Sequence, residues 1–459
     1  MSTLTEEMQR PKRSLLRVLG LGFGIAVMIG GMIGVGILRT PGSVAAQLHS
    51  PWLVYLAWSL GGLYALVAVN SFAELATSMP KSGGSYVYVR RTYGAFLGFI
   101  AGWNDFVINT ISIAYLSVAG GEFLGLLIPD LNGSENRIAA LVVLAFGILH
   151  SCGMRTSSLA QQISSLLKVL LLTALVLAAL FVSPPSAGAR VNIALASSTE
   201  NFLFSFSTAV VAVQMVMETY SGWNSGCYFS EETTDPGNTL PKAMLTGVLV
   251  VIVLYLLVNL ALQHVLTLEE LSASKFPASE AMARVFGESA RMGVVVIGLI
   301  SILGSINTLI MCSPRTIYAM ARDGLLSERA TYVTAGGTPL VALWMAAAMA
   351  TFFSISGSFE TLLAIAAFLG LVGDAVCYAA LFVLRKNEPD LPRPFRALGY
   401  PYIPLGIFVI ACALVVTYLV GNTLPSLAGV AVLLAAYPIF QYVSKPADAL
   451  QEEPEVRDR

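Results

Sequence analysis

Of the 459 residues, 56% are apolar and only 12% are Asp, Glu, Lys or Arg, about half the charge of an average soluble protein. The mean hydropathy is +0.75. With 26 basic against 27 acidic residues the net charge is −1, so there is no basic field to hold a phosphate backbone. The composition excludes a soluble globular protein, a disordered chain and a nucleic-acid binder, and it reads as an all-α integral membrane protein.

A membrane-crossing helix needs about 20 mostly apolar residues. In chain order, twelve stretches qualify: 18–47, 52–79, 94–128, 136–154, 158–183, 201–229, 239–265, 290–323, 338–355, 358–385, 402–420 and 423–443. Arg10, Lys12, Arg13 and Arg17 precede the first, which is too long for a signal-peptide core and stays as a span. Placing the N-terminus in the cytoplasm puts nineteen basic residues on inside segments and five (Arg137, Arg190, Lys275, Arg284, Arg291) outside. That asymmetry predicts a multi-pass protein of the plasma (inner) membrane with both termini cytoplasmic. The tails, 1–17 and 444–459, are polar and short, leaving the bundle to do the work.

Span one carries Gly30-Gly31-Met32-Ile33-Gly34-Val35-Gly36-Ile37, followed by Pro41. Each glycine costs up to ~1 kcal/mol against alanine in a helix interior. One small-residue pair serves close helix packing; four glycines in seven residues exceed that need. An unwound segment at mid-membrane is predicted, with amides facing a cavity and a half-helix presenting its positive end, which suits a carboxylate. Span six carries the counterpart, Glu218-Thr219-Tyr220-Ser221-Gly222-Trp223-Asn224-Ser225-Gly226. Carbonyls freed there suit an ammonium group. Irregular backbone at this depth is tolerated only where it lines a cavity or is covered by protein. Breaks five spans apart are what an inverted repeat of spans 1–5 and 6–10 produces.

These residues resemble the amino acid–polyamine–organocation superfamily, and within it the L-type amino acid transporter branch. Met32-Ile33-Gly34-Val35-Gly36-Ile37-Leu38 with Pro41 is similar to its first-helix signature, and Glu74-Leu75-Ala76 through Pro80–Tyr86 to Tyr93-Gly94 to the loop after helix two. Tyr220-Ser221-Gly222-Trp223-Asn224 with Ser230-Glu231-Glu232 and Pro241 resembles helix six; Gly304–Asn307, Arg315 and Arg322-Asp323-Gly324 resemble helix eight; and Arg385–Tyr400 resembles the loop after helix ten. The resemblance implies the five-plus-five inverted repeat of the LeuT-like fold: first repeat 18–183, second repeat 201–385, and two extra helices over 402–443. It also implies an amino acid carboxylate at the amides of Gly34, Val35 and Gly36, and its ammonium at carbonyls near Met32, Glu218 and Ser221. Ile33, Ile37, Thr219 and Tyr220 flank this site, Asn224 supports the break in helix six, and Asp105 beside Asn104 is a candidate for the inner half of the cavity.

Lys168 falls inside span five, where an ammonium at the bilayer centre costs ~2.5–3.5 kcal/mol or more unless paired. Snorkelling toward the cytoplasmic face is one reading. The resemblance implies another: the lysine of sodium-independent members, standing in for a sodium ion and contacting the helix-one break and hydroxyls such as Ser301 or Ser305. Whether Lys168 is a fixed strut or carries a proton stays open. At Glu218 the branch usually has a large aromatic. Three readings compete: counter-ion for a cationic substrate, protonatable coupling group, or partner of Arg39 across the outer gate. If the register is off by a turn, Tyr220 takes the aromatic role. Asp105, Glu122 and Asp374 read first as structural polar pairs.

The predicted function is sodium-independent amino acid transport by alternating access, as exchanger or proton symporter, with cationic amino acids, polyamines or other organic amines as the alternative substrates. No HExxH zinc motif, intramembrane aspartyl-protease motif, or repeated filter loop is present, which argues against an enzyme or a channel. Five scattered cysteines and three histidines predict neither metal nor cofactor. Residues 129–136 contain no cysteine, so no disulfide-linked heavy chain is expected.

Overall fold

A computed structural model describes residues 15–182 and 202–448, with side chains for all but 202–207 and 444–448. Arg10, Lys12, Arg13, Arg190, Arg457 and Arg459 lie outside the described residues.

Each apolar stretch is helical. The first forms α1 (Leu21–Met32) and α2 (Gly36–Leu48), bent by 44° at the break between them. Then come α3 (Pro51–Ser78), α4 (Ser85–Tyr93), α5 (Ala95–Leu127), α6 (Glu135–Ser151) and α7 (Met154–Val182). The second half has α8 (Phe202–Thr219), a 3-10 turn at Ser225–Phe229, α9 (Pro236–Val265), α10 (Leu268–Ala273), α11 (Pro277–Phe286) and α12 (Ala290–Arg322). It closes with α13 (Leu340–Ser356), α14 (Phe359–Asn387), α15 (Tyr402–Gly421) and α16 (Thr423–Asp448). Among the described residues there are only two isolated β-bridges and no named strand.

Eight of these helices are long and apolar enough to cross a membrane singly, and α1 with α2 makes a ninth as a bent pair. The other three expected spans are shorter. α6 and α13 have 17 residues each, and α8 has 18. The sequence did not foresee α4, α10 or α11, which lie in segments expected to be loops between spans.

Apolar side chains both fill the interior and cover the outer surface. α5 and α12 are the most buried spans and form the centre, while α15 and α16 are the most exposed. Large apolar side chains point outward, among them Phe181, Leu424 and Leu434. An apolar outer surface of this extent is stable against lipid rather than water. The polar and small residues are gathered inside, between α1, α7, α9 and α12, where both breaks lie.

Candidate functional site

α1 ends at Met32, and Ile33 turns the chain into an extended conformation (φ −81°, ψ 90°) before α2 starts at Gly36. Gly34 N–H folds back onto Met32 O at 3.0 Å, and Leu38 N–H onto Val35 O at 3.0 Å. The amides of Val35, Gly36 and Ile37 take no backbone acceptor, as expected at the start of a helix. α8 ends at Thr219, and the chain then runs through turns to Ser225, with Gly222 in the left-handed region at φ 96°. Thus α1 and α8 both bring carbonyl ends to the centre and α2 brings an amide end. One point of the bundle therefore offers negative and positive helix termini side by side.

The two breaks touch. A Cβ on Gly222 would lie 2.5 Å from Gly31 O, and one on Gly31 would lie 2.5 Å from Ser225 Oγ and 3.0 Å from Gly222 O. Only residues without side chains allow backbones to approach so closely. Tyr255 of α9 clasps the pair. Its hydroxyl donates to Met32 O at 2.8 Å and faces Thr219 O at 3.3 Å. Thr219 Oγ1 also donates to Thr40 Oγ1 at 3.1 Å, joining the half-helices beyond the breaks.

Lys168 does not snorkel. It is fully buried, and its Nζ donates to Gly30 O (3.0 Å), Ile33 O (2.6 Å) and Ser305 Oγ (3.1 Å). An ammonium has three donors, and all three are used, at the carbonyl end of α1. Ser301 enters through its carbonyl, 3.1 Å from Ser305 Oγ, rather than through a hydroxyl bonded to Lys168. A second strand of polar contacts continues from there. Ser165 Oγ and Gln161 Nε2 donate to Ala26 O, Asn307 Nδ2 donates to Gln161 Oε1 at 2.7 Å, and His150 Nε2 meets Asn307 Oδ1 at 3.0 Å. Sequence reasoning did not pick out Tyr255 or Gln161, and it named Asn307 only as part of the helix-eight motif. The available signal was a hydroxyl or amide in an otherwise apolar run, which must find a buried partner.

Two expectations need correction. Arg39 does not pair with Glu218: α2 directs it toward α5, where it meets Glu122 at 3.8 Å and lies over the rings of Phe123 and Phe359. Glu218 instead lies near the Tyr418 hydroxyl of α15. Asp105 does not line an open inner cavity. It is 5% exposed, and its two oxygens accept from Tyr228 Oη (2.6 Å) and Thr316 Oγ1 (2.7 Å), fixing α5 to the segment after the sixth-span break and to α12. Ser221 is exposed, and Asn224 supports the turn through its carbonyl, which accepts from Cys227 N–H at 2.9 Å. Tyr220 is buried between Trp58 and Tyr255. No group of three potential metal ligands occurs among the described residues.

The profile of the amino acid permease family matches residues 23–437, nearly the whole chain. This chain belongs to that family. Its members are membrane transporters, not enzymes. The permease is 26% identical over 443 residues to the serine/threonine exchanger SteT of Bacillus subtilis (strain 168), covering 95% of this chain and 99% of that one. It is 27% identical to the human b(0,+)-type amino acid transporter 1, covering 84% and 80%, and 27% identical to the branched-chain amino acid permease BcaP of B. subtilis (strain 168), covering 87% and 88%. These relatives support the resemblance to the L-type branch of the amino acid–polyamine–organocation superfamily.

The remaining motifs of the permease meet at the end of the bundle away from Arg39. Glu231 accepts from Arg322 Nη1 (2.8 Å) and from Ser82 N–H (3.1 Å), and Asp323 accepts from Tyr86 Oη at 2.9 Å. Glu232 forms a buried ion pair with Arg315 Nε at 2.9 Å. Leu19 and Thr234 exchange a backbone bond of 3.0 Å, and Arg17 Nε donates to Thr233 O. Glu74 accepts from Arg385 Nε at 2.8 Å and from Ala397 N–H. This end is closed. At the opposite end a cleft of about 460 Å³ opens beside the Arg39–Glu122 pair, lined by Glu122, Glu135, Phe359 and Glu360.

Proposed function

We propose that this permease carries amino acids across the plasma membrane, independently of sodium, by alternating access. The observation that carries the reading is the contact of the two breaks at Gly31 and Gly222, with amides on one side and carbonyls on the other. A zwitterion matches that arrangement: carboxylate at Gly34, Val35 and Gly36, ammonium at the carbonyls of Met32, Glu218 and Ser221. The family and the relatives' transport of amino acids favour the same substrate class.

In this reading the chain has twelve spans, α6, α8 and α13 included, arranged as two inverted repeats, 18–183 and 201–385, plus 402–443. Lys168 occupies the place of a cation between the first break and Ser305 and holds the break open without an ion from solution. Spans one, two, six and seven rock against the rest. With Glu231–Arg322 and Glu232–Arg315 closed, the side that opens first is the one beside Arg39 and Glu122. In this reading the closed end lies in the cytoplasm with both termini, which the basic residues gathered there support. No disulfide-linked heavy chain is required, since no cysteine lies in 129–136. The transport mode is exchange or proton symport.

The test is uptake into proteoliposomes preloaded with unlabelled amino acids. Saturable counterflow that is unchanged when sodium is replaced by choline is expected. A strict sodium requirement would overturn the role given to Lys168. A second reading, transport of cationic amino acids or amines with Glu218 as counter-ion, is favoured by one observation: Arg39 is engaged elsewhere, so Glu218 has no basic partner among the described residues.

A further inference from the structure

Asp374 of α14 was expected to be a structural polar pair. It is half-buried, and among the described residues its carboxylate makes no hydrogen bond and no ion pair. It lies within electrostatic range of Glu218 and Asp105. Asp105 is fully bonded to Tyr228 and Thr316, and Glu218 has only the neutral hydroxyl of Tyr418 near it. Among the described residues, the cation buried beside the breaks, Lys168, has spent its donors on Gly30, Ile33 and Ser305. Two carboxylates within electrostatic range of each other, one on α8 and one on α14, therefore have no ion-pair partner among the described residues.

The surroundings of Asp374 hold several buried polar atoms without partners. Tyr378, one helical turn beyond Asp374, is 0% exposed, and its hydroxyl approaches that of Tyr64 without either completing a hydrogen bond. Asn104 is 3% exposed; its Oδ1 is unpartnered, and its Nδ2 lies 3.0 Å from where a Cβ on Gly373, the neighbour of Asp374, would stand. Gly370, one turn before Asp374, has open space beside it. Buried polar atoms are nearly always satisfied, and a carboxylate at membrane depth is costly without a counter-charge. Here the unpartnered acceptors Asp374 and Asn104 Oδ1 lie on or beside the same stretch of α14 as the unpartnered Tyr378 hydroxyl, and no cationic donor reaches them among the described residues.

We propose that Asp374, together with Glu218, forms a second subsite that takes the cationic end of the substrate's side chain, so that the permease prefers amino acids carrying a terminal ammonium or guanidinium group. The inference rests on the amino acid reading above, since the helix breaks hold the α-amino and α-carboxyl groups. Asp374 is a specificity-determining residue: the breaks recognise what all amino acids share, and α14 selects among side chains.

The experiment compares L-lysine with L-norleucine, which has the same carbon chain and no terminal ammonium, as competitors for binding to the purified protein. Lysine is expected to bind at least tenfold tighter than norleucine. Asp374→Asn should lower that ratio at least tenfold, and Asp374→Glu should largely retain it. Norleucine binding as well as lysine, or a ratio unchanged in Asp374→Asn, would overturn the inference and leave the amino acid reading intact. Failure of both compounds and of every other amino acid to bind would overturn that reading itself. Should Asp374→Asn not fold, the wild-type ratio and its loss in Glu218→Gln decide.

Discussion

Lys168 shows how one side chain can hold an irregular backbone in place. Without it, the carbonyls of Gly30 and Ile33 would share the single hydroxyl hydrogen of Ser305 in a dry interior. A hydrogen bond to a charged donor contributes ~1.5–3 kcal/mol, and removing one partner of a buried pair costs the desolvation of the other. Lys168→Met should therefore cut transport more than tenfold and lower the melting temperature, whereas Lys168→Arg should not restore function, because a planar fork cannot reach three acceptors converging on one point. Tyr255→Phe removes a single neutral bond to Met32 O. A loss of ~0.5–1.5 kcal/mol, read as a two- to tenfold weaker substrate affinity, is expected in an equilibrium binding assay. Lys168 was legible in the sequence because a cation in an apolar span demands an explanation. The partner of Arg39 was not: α2 offers the side chain several carboxylates, and only packing decides that Glu122 wins over Glu218.

Among the elements, the broken helices were the most readable and the short helices the least. Four glycines and a polar interruption contradict the composition of a membrane span, so the breaks stood out. α4, α10 and α11 have no such contrast, because their residues also suit a loop. The contact at Gly222 makes a sharp prediction. Gly222→Ala adds a side chain at φ 96° and 2.5 Å from Gly31 O. The left-handed conformation alone costs ~1–3 kcal/mol for a non-glycine residue, and the backbone opposite cannot yield. Transport should be abolished, with a fall in melting temperature, while Gly293→Ala, where a Cβ meets nothing, should leave both near wild type. α10 makes a milder prediction. Thr267 and Glu270 form a reciprocal cap, and Arg284 grips Glu270, holding its carboxyl down at about 2. The folded value lies below the ordinary 4.5. The stabilisation is therefore complete above pH 4.5 and lost as the pH falls through about 2. Both groups are largely exposed, so the effect is small. Hydrogen exchange in 268–273 should rise across that window, and Arg284→Ala should shift the rise to higher pH.

Taken as a whole molecule, the bundle is tied by ion pairs at one end and carries a cleft beside Glu122 at the other. The signature residues scattered through the sequence were legible as motifs, but their purpose was not, because Glu231, Arg322, Ser82, Tyr86 and Asp323 meet only in three dimensions. The strongest element of the lock is Arg315–Glu232, 4% and 0% exposed. Breaking a buried pair by removing one partner costs ~3–5 kcal/mol, since it strands the other charge. Arg315→Ala should destabilise the closed end markedly, and Arg322→Ala, whose pair with Glu231 is partly exposed, only slightly. Labelling of cysteines introduced at Ser82 and Thr234 by a membrane-impermeant thiol reagent, applied to inside-out vesicles, would report both changes as increased reactivity.

The central claim is that the two touching breaks hold a zwitterion between amide and carbonyl helix ends. The most direct measurement is an experimental structure of the purified protein saturated with the amino acid that raises its melting temperature most. The account predicts the ligand's carboxylate within hydrogen-bonding distance of the amides of Gly34, Val35 and Gly36, and its ammonium facing the carbonyls of Met32 and Glu218. Ligand density elsewhere in the bundle, with α1 and α2 joined as one unbroken helix, would contradict it.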